Sequence, residues 1–201
     1  MSEIILFTGP HGAGKDSIEK RVRGERRDIR RIVRHITREP ASGEQRDEDY
    51  HFVTRDQFRS LAAAGHFIEW VEYPDVLSGT AFGEIEGAAS EKTFASLTLN
   101  LEDALELRRT LQQTGRNTTT LFISPVSYES FMSGSDEYLT TLQERIESRR
   151  RSFEYVSKKI AKAALYRELF LESDDMHYIP NRNHRMGDAV AEVHALLDRF
   201  E

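Results

Sequence analysis

The chain has 201 residues, 38% of them hydrophobic and 31% charged, and a formal net charge of −6. That suits one soluble α/β domain with a real core and speaks against a general nucleic-acid binder, which would carry a basic face. There is no cysteine, which excludes disulfides, thiol chemistry and Cys-based zinc sites. No apolar run approaches the ~20 residues that span a bilayer, so a cytoplasmic protein without membrane or nucleic-acid partners is expected.

The first predicted element is a strand, Glu3-Ile4-Ile5-Leu6-Phe7-Thr8, running into Gly9-Pro10-His11-Gly12-Ala13-Gly14-Lys15-Asp16. Gly9, Gly14 and the lysine directly after them form the G-x-x-x-x-G-K frame of a phosphate-binding loop. Glycine admits backbone angles closed to other residues, so successive amide N–H groups can point into one concavity. A helix starting near Lys15 adds the positive end of its dipole, and Lys15 adds a mobile charge for the outer phosphates. A Gly-rich turn that merely carries a lysine is the plain alternative. The apolar strand before it and the helix after it favour a nucleoside triphosphate. Where the frame wants a Ser or Thr hydroxyl for Mg2+, Asp16 stands and Ser17 follows. Asp16 could bind the metal, directly or through water, or only cap the helix.

Ser17 to about Arg23 reads as the helix of that loop. An arginine-rich stretch follows (Arg26, Arg27, Arg30, Arg31, Arg34), and arginine suits phosphate because its fork geometry is fixed. Ile29 to Thr37 is expected as one strand, ended before Pro40, and Ala41 to Asp49 as a polar turn. Thr54-Arg55-Asp56-Gln57 is a capping box that opens a helix to Ala64, closed by Gly65. His66 to Tyr73 alternates as a strand, Pro74 to Gly87 reads as loop, and Lys92 to Leu99 as a further strand. Leu101 to Thr114 is an amphipathic helix stopped by Gly115, and Thr118 to Ser124 an apolar strand halted by Pro125. Tyr138 to about Leu171 is mainly helical, Met176 to Ile179 a short last strand, and Asp188 to Phe200 a terminal helix. The alternation predicts an α/β fold, a mostly parallel sheet with helices on both faces.

At Ile36-Thr37-Arg38, Gly43-Glu44, Asp49-Tyr50-His51-Phe52-Val53, Phe67-Ile68-Glu69-Trp70 and Arg145-Ile146-x-x-Arg149, together with the loop, the sequence resembles the guanylate kinase family. The resemblance implies a P-loop kinase core (1–35, 89–132 and 172–201), an inserted acceptor-binding subdomain (about 36–88) and a helical lid (about 133–171). It implies transfer of the γ-phosphoryl group of ATP, with Mg2+, to a small phosphorylated acceptor, GMP before others. A monomer or homodimer is expected. Gly9, Pro10, His11, Gly12, Ala13, Gly14, Lys15, Asp16, Ser17 and Asn181 match the nucleotide side, with Asp16 and Ser17 the metal candidates. Arg38 and Tyr50 match the grip on the acceptor phosphate, and Glu69 the carboxylate that takes hydrogen bonds from guanine. Gly79-Thr80 matches the acceptor loop, with Glu44, Ser78 and Asn100 beside these positions. Lys15, Arg38, Arg145 and Arg149 form the implied catalytic set, the last two as lid arginines that neutralise charge in the transition state. A purely structural Glu69 would need a partner for its charge. Trp70 reads as core.

Departures gather on the acceptor side. The family's second phosphate arginine falls at Ala41, its second tyrosine at Ser78, and its guanine-side serine near Arg34-His35. Family aspartates become Thr98 and Asn100, Lys158-Lys159 replace lid arginines, and an insertion is read around Ser133 to Thr141. Gly-Lys-Asp-Ser, Ile-Thr-Arg and Asn100 also occur in ribose 1,5-bisphosphate phosphokinases. The readings in competition are, in order, a GMP kinase, the same chemistry on another acceptor such as ribose 1,5-bisphosphate, and a catalytically silent protein-binding module. The intact loop with Lys15 stands against the last.

Overall fold

The computed structural model describes residues 3–88, 93–173 and 175–200. In chain order the elements are β1 (Glu3–Thr8), α1 (Lys15–Glu25), β2 (Ile29–Arg31), β3 (Arg34–Ile36), β4 (Tyr50–Phe52), α2 (Arg55–Ala63), β5 (Phe67–Glu72), β6 (Leu77–Ala81) and α3 (Phe82–Ala88). Then come β7 (Phe94–Thr98), α4 (Leu101–Gln113), β8 (Asn117–Ser124), α5 (Tyr128–Ser133), α6 (Glu137–Glu147), α7 (Phe153–Leu171), β9 (Met176–Pro180) and α8 (Met186–Leu197).

β1 is buried at every position, which is why it reads as an unbroken apolar run and not an alternating one. Its side chains alternate between two covered faces. Ile5 and Phe7 join a core with Ile18 and Val22 of α1 and Val193 and Leu197 of α8. Ile4 and Leu6 join another with Ile85 of α3 and Leu107 and Leu111 of α4. β1 thus sits at the centre of an all-parallel sheet ordered β2-β7-β1-β8-β9, with helices on both faces as expected. The carboxyl end of β1, between neighbours that the chain reaches in opposite directions, is where such sheets hold ligands.

A second sheet, ordered β4-β3-β6-β5, has its own small core of Phe58, Phe67, Leu77 and Ala81. Here the sequence reading needs correction. Ile29–Thr37 is not one strand: β2 pairs with β7 in the first sheet, and β3 pairs with β4 and β6 in the second. Ile32 and Val33 carry the chain across, both buried, so the apolar run never breaks where the strand does. Pro74–Gly87 is not loop: Tyr73 and Val76 close a tight hairpin into β6, and α3 follows. The small residues of β6 have weak strand propensity, but they are fully buried between two antiparallel partners, and tertiary pairing decides. Short β4 and α5 carried too little periodicity to be seen. The capping box on α2 is present in full, with Thr54 accepting from Gln57 and Gln57 answering. Trp70 is not core but half exposed. Lys92 of the expected strand lies outside the described residues. No helix among the described residues is long and apolar enough to cross a membrane.

Candidate active site

The loop after β1 is held against the sheet at distances only glycine permits. Gly9 and Gly14 have φ of +133° and +94°, and a Cβ would collide with the Ile123 carbonyl at the first and the Asn181 amide at the second. The loop carbonyls are tied back from outside. Asn181 Nδ2 donates to Ala13 O at 2.7 Å, and Arg145 Nη1 donates to Ala13 O at 3.3 Å and Gly12 O at 3.5 Å. Among the described residues the amides of Gly12, Gly14, Lys15 and Asp16 have no acceptor. Backbone N–H groups so freed, at the start of α1, form an anion-binding concavity.

Cations crowd this concavity, with Asp16 the one nearby carboxylate that acts on Lys15 and His11. Lys15 makes no ion pair or hydrogen bond among the described residues; burial lowers its pKa, Asp16 raises it, and Arg149 and Lys162 lower it further. His11 is pushed down to about 4 by burial and by the charges of Lys15, Lys159 and Arg149, so it is neutral at physiological pH. Its Nε2 lies 3.3 Å from the Tyr155 hydroxyl of α7. Lys159 is lowered by burial and by Lys162, Lys158 and Lys15. Arg145, lowered by burial and by Arg149, also donates to Asn181 O at 2.6 Å and Asn183 Oδ1 at 2.9 Å. Arg149 is exposed. Beside Arg145 opens a cleft of about 470 Å³ lined by Asn181, Arg182, Asn183, His184 and Met186.

On the second sheet and the loops beside it the cations are paired. Arg38 forks onto Glu44 with both contacts at 2.6 Å and lies 5.2 Å over the Tyr50 ring. The Glu44 hydrogen bonds raise the Arg38 pKa, and Arg38 in turn lowers that of Glu44. Tyr50 is raised by burial and by Asp16, while Arg31, Arg38 and Arg34 pull it down. Asp16 is on the phosphate loop's helix, so Tyr50 stands within electrostatic reach of that loop. Glu69 has the partner a buried carboxylate needs: Arg34 Nη2 donates to Oε1 at 2.8 Å and Oε2 at 3.1 Å, and Thr80 Oγ1 donates to Oε1 at 2.6 Å. Ser78 is buried in β6, and Gly79 backs onto Trp70.

Two expected positions are busy locally. Asn100 is the N-cap of α4: its Oδ1 accepts from Asp103 N, and its Nδ2 donates to the Tyr73 hydroxyl at 2.6 Å. Tyr73 donates in turn to Asp103 at 2.8 Å, which ties the end of β5 to the first sheet's helix. Asp16 does not cap α1, whose N-cap is Gly14; it lies exposed in the first turn beside Ser17. The sequence reading left Tyr73, Asp103, Tyr155 and Asn183 out of the site, and it noted Arg34 and Lys159 only as departures. Each is brought in by a contact far along the chain that no local pattern announces.

A phosphate loop at the carboxyl end of a central parallel strand, faced by a second small sheet, defines a P-loop phosphotransferase. The guanylate kinase family model matches residues 1–180, and the chain belongs to that family. It is 34% identical over 148 residues to a guanylate kinase of Corynebacterium jeikeium, covering 73% of this chain and 77% of that one. It is 28% identical over 163 residues to one of Schizosaccharomyces pombe, covering 79% and 78%. The crystal structure of guanylate kinase from Anaplasma phagocytophilum superposes with a TM-score of 0.69 at 18% identity, over 98% of this chain and 85% of that one. That likeness speaks for the fold.

Proposed function

We propose that the protein transfers the γ-phosphoryl group of ATP to GMP, giving ADP and GDP. Family membership over residues 1–180 carries this reading, and the open cationic loop supports its donor half. In this mechanism the ATP phosphates rest on the amides of Gly12, Gly14, Lys15 and Asp16 and on the Lys15 side chain. The base lies toward the cleft lined by Asn181 and Asn183. Arg38 and the Tyr50 hydroxyl hold the GMP phosphate facing the γ-phosphorus, with Glu69 on the guanine ring. Arg149, whose side chain has no ion pair or hydrogen bond among the described residues, supplies charge to the equatorial oxygens as it builds up, and Arg145 steadies the loop from behind.

Mg2+ fits the oxygen donors beside the loop. The buried hydroxyls of Thr8 and Thr98, at the ends of neighbouring strands, have no partner, and Asp16 and Ser17 are exposed nearby. A hard cation takes such ligands, and when bound it would offset charge on the β- and γ-phosphates. No group of three or more metal-ligating side chains occurs among the described residues. Incubation with ATP, Mg2+ and GMP, followed by 31P NMR, is expected to show ADP and GDP appearing together. ATP bound by calorimetry with no GDP formed would contradict the reading.

A further inference from the structure

The connection between α6 and α7 has little to hold it. Every residue from Glu147 to Glu154 is exposed, with Arg149, Arg150 and Arg151 in a row. Phe153 opens α7 with its ring largely in solvent, so it gives the helix no apolar anchor. The chain returns to the body of the protein at Tyr155, partly buried, and Val156, buried. From Arg149 to Lys158, among the described residues, Tyr155 is the one side chain with a hydrogen bond or ion pair outside that stretch. It reaches back to the phosphate loop. Its hydroxyl lies 3.3 Å from His11 Nε2, and the two rings meet edge to face with centroids 5.7 Å apart. The same ring carries Arg151 at 5.4 Å and Lys159 at 5.3 Å from its centroid. His11 suits the other end of this contact. Burial and the charges of Lys15, Lys159 and Arg149 keep it neutral, against the opposing pull of Asp16. With its proton on Nδ1, the Nε2 lone pair accepts from the phenol.

We propose that His11 and Tyr155 form a latch between the phosphate loop and α7, with Tyr155 a positioning residue for Arg149 and Lys159. Packing alone would be met by the Tyr155 ring. The hydroxyl adds a direction, because a hydrogen bond weakens steeply when bent. It fixes the helix at a point between two cations, Arg149 before it and Lys159 after it, whose charges both reach His11. Without it the arginine-bearing connection has no polar tie to the loop, and Arg149 must be ordered at each turnover. The effect on turnover rests on the proposed phosphoryl transfer, whereas the latch itself belongs to the ligand-free protein.

Trypsin cuts after arginine, so the exposed run from Arg149 to Arg151 reports the latch without any turnover. Tyr155→Phe keeps the ring and loses only the hydroxyl. It should raise cleavage in that run, followed by mass spectrometry, by about three- to tenfold while the melting temperature stays near that of the wild type. His11→Leu should do the same. Tyr155→Phe/His11→Leu should be cut no faster than either single variant, since one broken contact cannot be broken twice. In turnover with GMP, Tyr155→Phe should lower kcat about fivefold and leave the calorimetric Kd for ATP within about twofold. Tyr155→Phe carries the test even where His11→Leu unsettles the loop. Unchanged cleavage in Tyr155→Phe, or effects that multiply in the double variant, overturns the latch. Faster cleavage with unchanged kcat overturns the positioning role. A wild type that forms no GDP, with the expected cleavage pattern, overturns the GMP reading and leaves the latch standing.

Discussion

The donor wall at the phosphate loop and the acceptor wall on the second sheet are wired in opposite ways. Around the phosphate loop the charge of Arg149 lowers the pKa of Lys15, Arg145 and His11, that of Lys15 lowers Lys159 and His11, and that of Lys159 lowers His11; Lys15, Arg145, Arg149 and Lys159 form no ion pair with a carboxylate among the described residues. On the acceptor wall Arg38 is held by Glu44 and Arg34 by Glu69. Like charges gathered with only Asp16 to offset them suit a polyanion, and on the proposed reading the triphosphate would be one. Paired charges bind by exchange: on the proposed reading the acceptor phosphate would compete with Glu44 for the Arg38 fork. The cations around the loop are therefore left for an anion, whereas Arg38 and Arg34 on the second sheet are already satisfied within the protein.

The largest effect that would sharpen this contrast lies on the lid. Arg149→Ala removes a side chain with no ion pair or hydrogen bond among the described residues, so kcat should fall roughly 10³-fold with little change in melting temperature. Arg145→Ala should differ by also weakening ATP binding, since its guanidinium ties back the carbonyls of Gly12 and Ala13. Steady-state kinetics with thermal melts would separate them, and normal kcat in Arg149→Ala would reduce that stretch to a plain solvated helix end. Next comes Lys15→Ala, expected to weaken ATP by about 100-fold, the worth of a charge-assisted contact of about 3 kcal/mol, while the fold stays intact. Calorimetry with ATP checks it.

A smaller change is expected on the metal. Asp16→Ser replaces a carboxylate with a hydroxyl and should shift the Mg2+ concentration that gives half-maximal turnover by several-fold; an unchanged titration would leave Asp16 as helix-terminus charge alone. The smallest effect concerns the seam between the sheets. Burial opposes the charge on His51, but its hydrogen bonds to Asp47 and Glu84 prevail and its pKa is raised above 6.5. His35 beside it is pushed down to about 4 by burial and by the charges of His51 and His66. A raised pKa means that the His51 contribution is complete below about pH 6.5 and is lost as pH climbs through the folded value. Glu84 also accepts from the Val33 amide at 3.1 Å, where the chain crosses sheets. Thermal melts from about pH 6 to pH 8 should show declining stability, and His51→Asn should flatten that slope.

The donor wall was far easier to read from sequence than the acceptor wall, for a physical reason. A phosphate loop is local: glycine spacing, a strand, a helix start and a lysine all fall within Glu3 to Lys15. Likewise Thr54 and Asn100 cap helices through contacts three residues away. The acceptor wall is built from short strands whose order, β4-β3-β6-β5, scrambles the chain. Arg34 meets Glu69 across 35 positions and Tyr73 meets Asp103 across 30. Periodicity cannot foresee such meetings, so the partner that Glu69 required was anticipated as a need but not as Arg34.

The central claim, phosphorylation of GMP, is tested most directly by a coupled assay of ADP release with ATP, Mg2+ and one acceptor at a time: GMP, AMP, CMP, UMP and ribose 1,5-bisphosphate. The account predicts that kcat/KM is highest for GMP, ahead of AMP by tenfold or more. Its KM should be raised because Ala41 and Ser78 stand where the family has a second phosphate arginine and tyrosine, and because Glu44 already holds Arg38. Turnover with the sugar phosphate alone, or with AMP as readily as GMP, would contradict it.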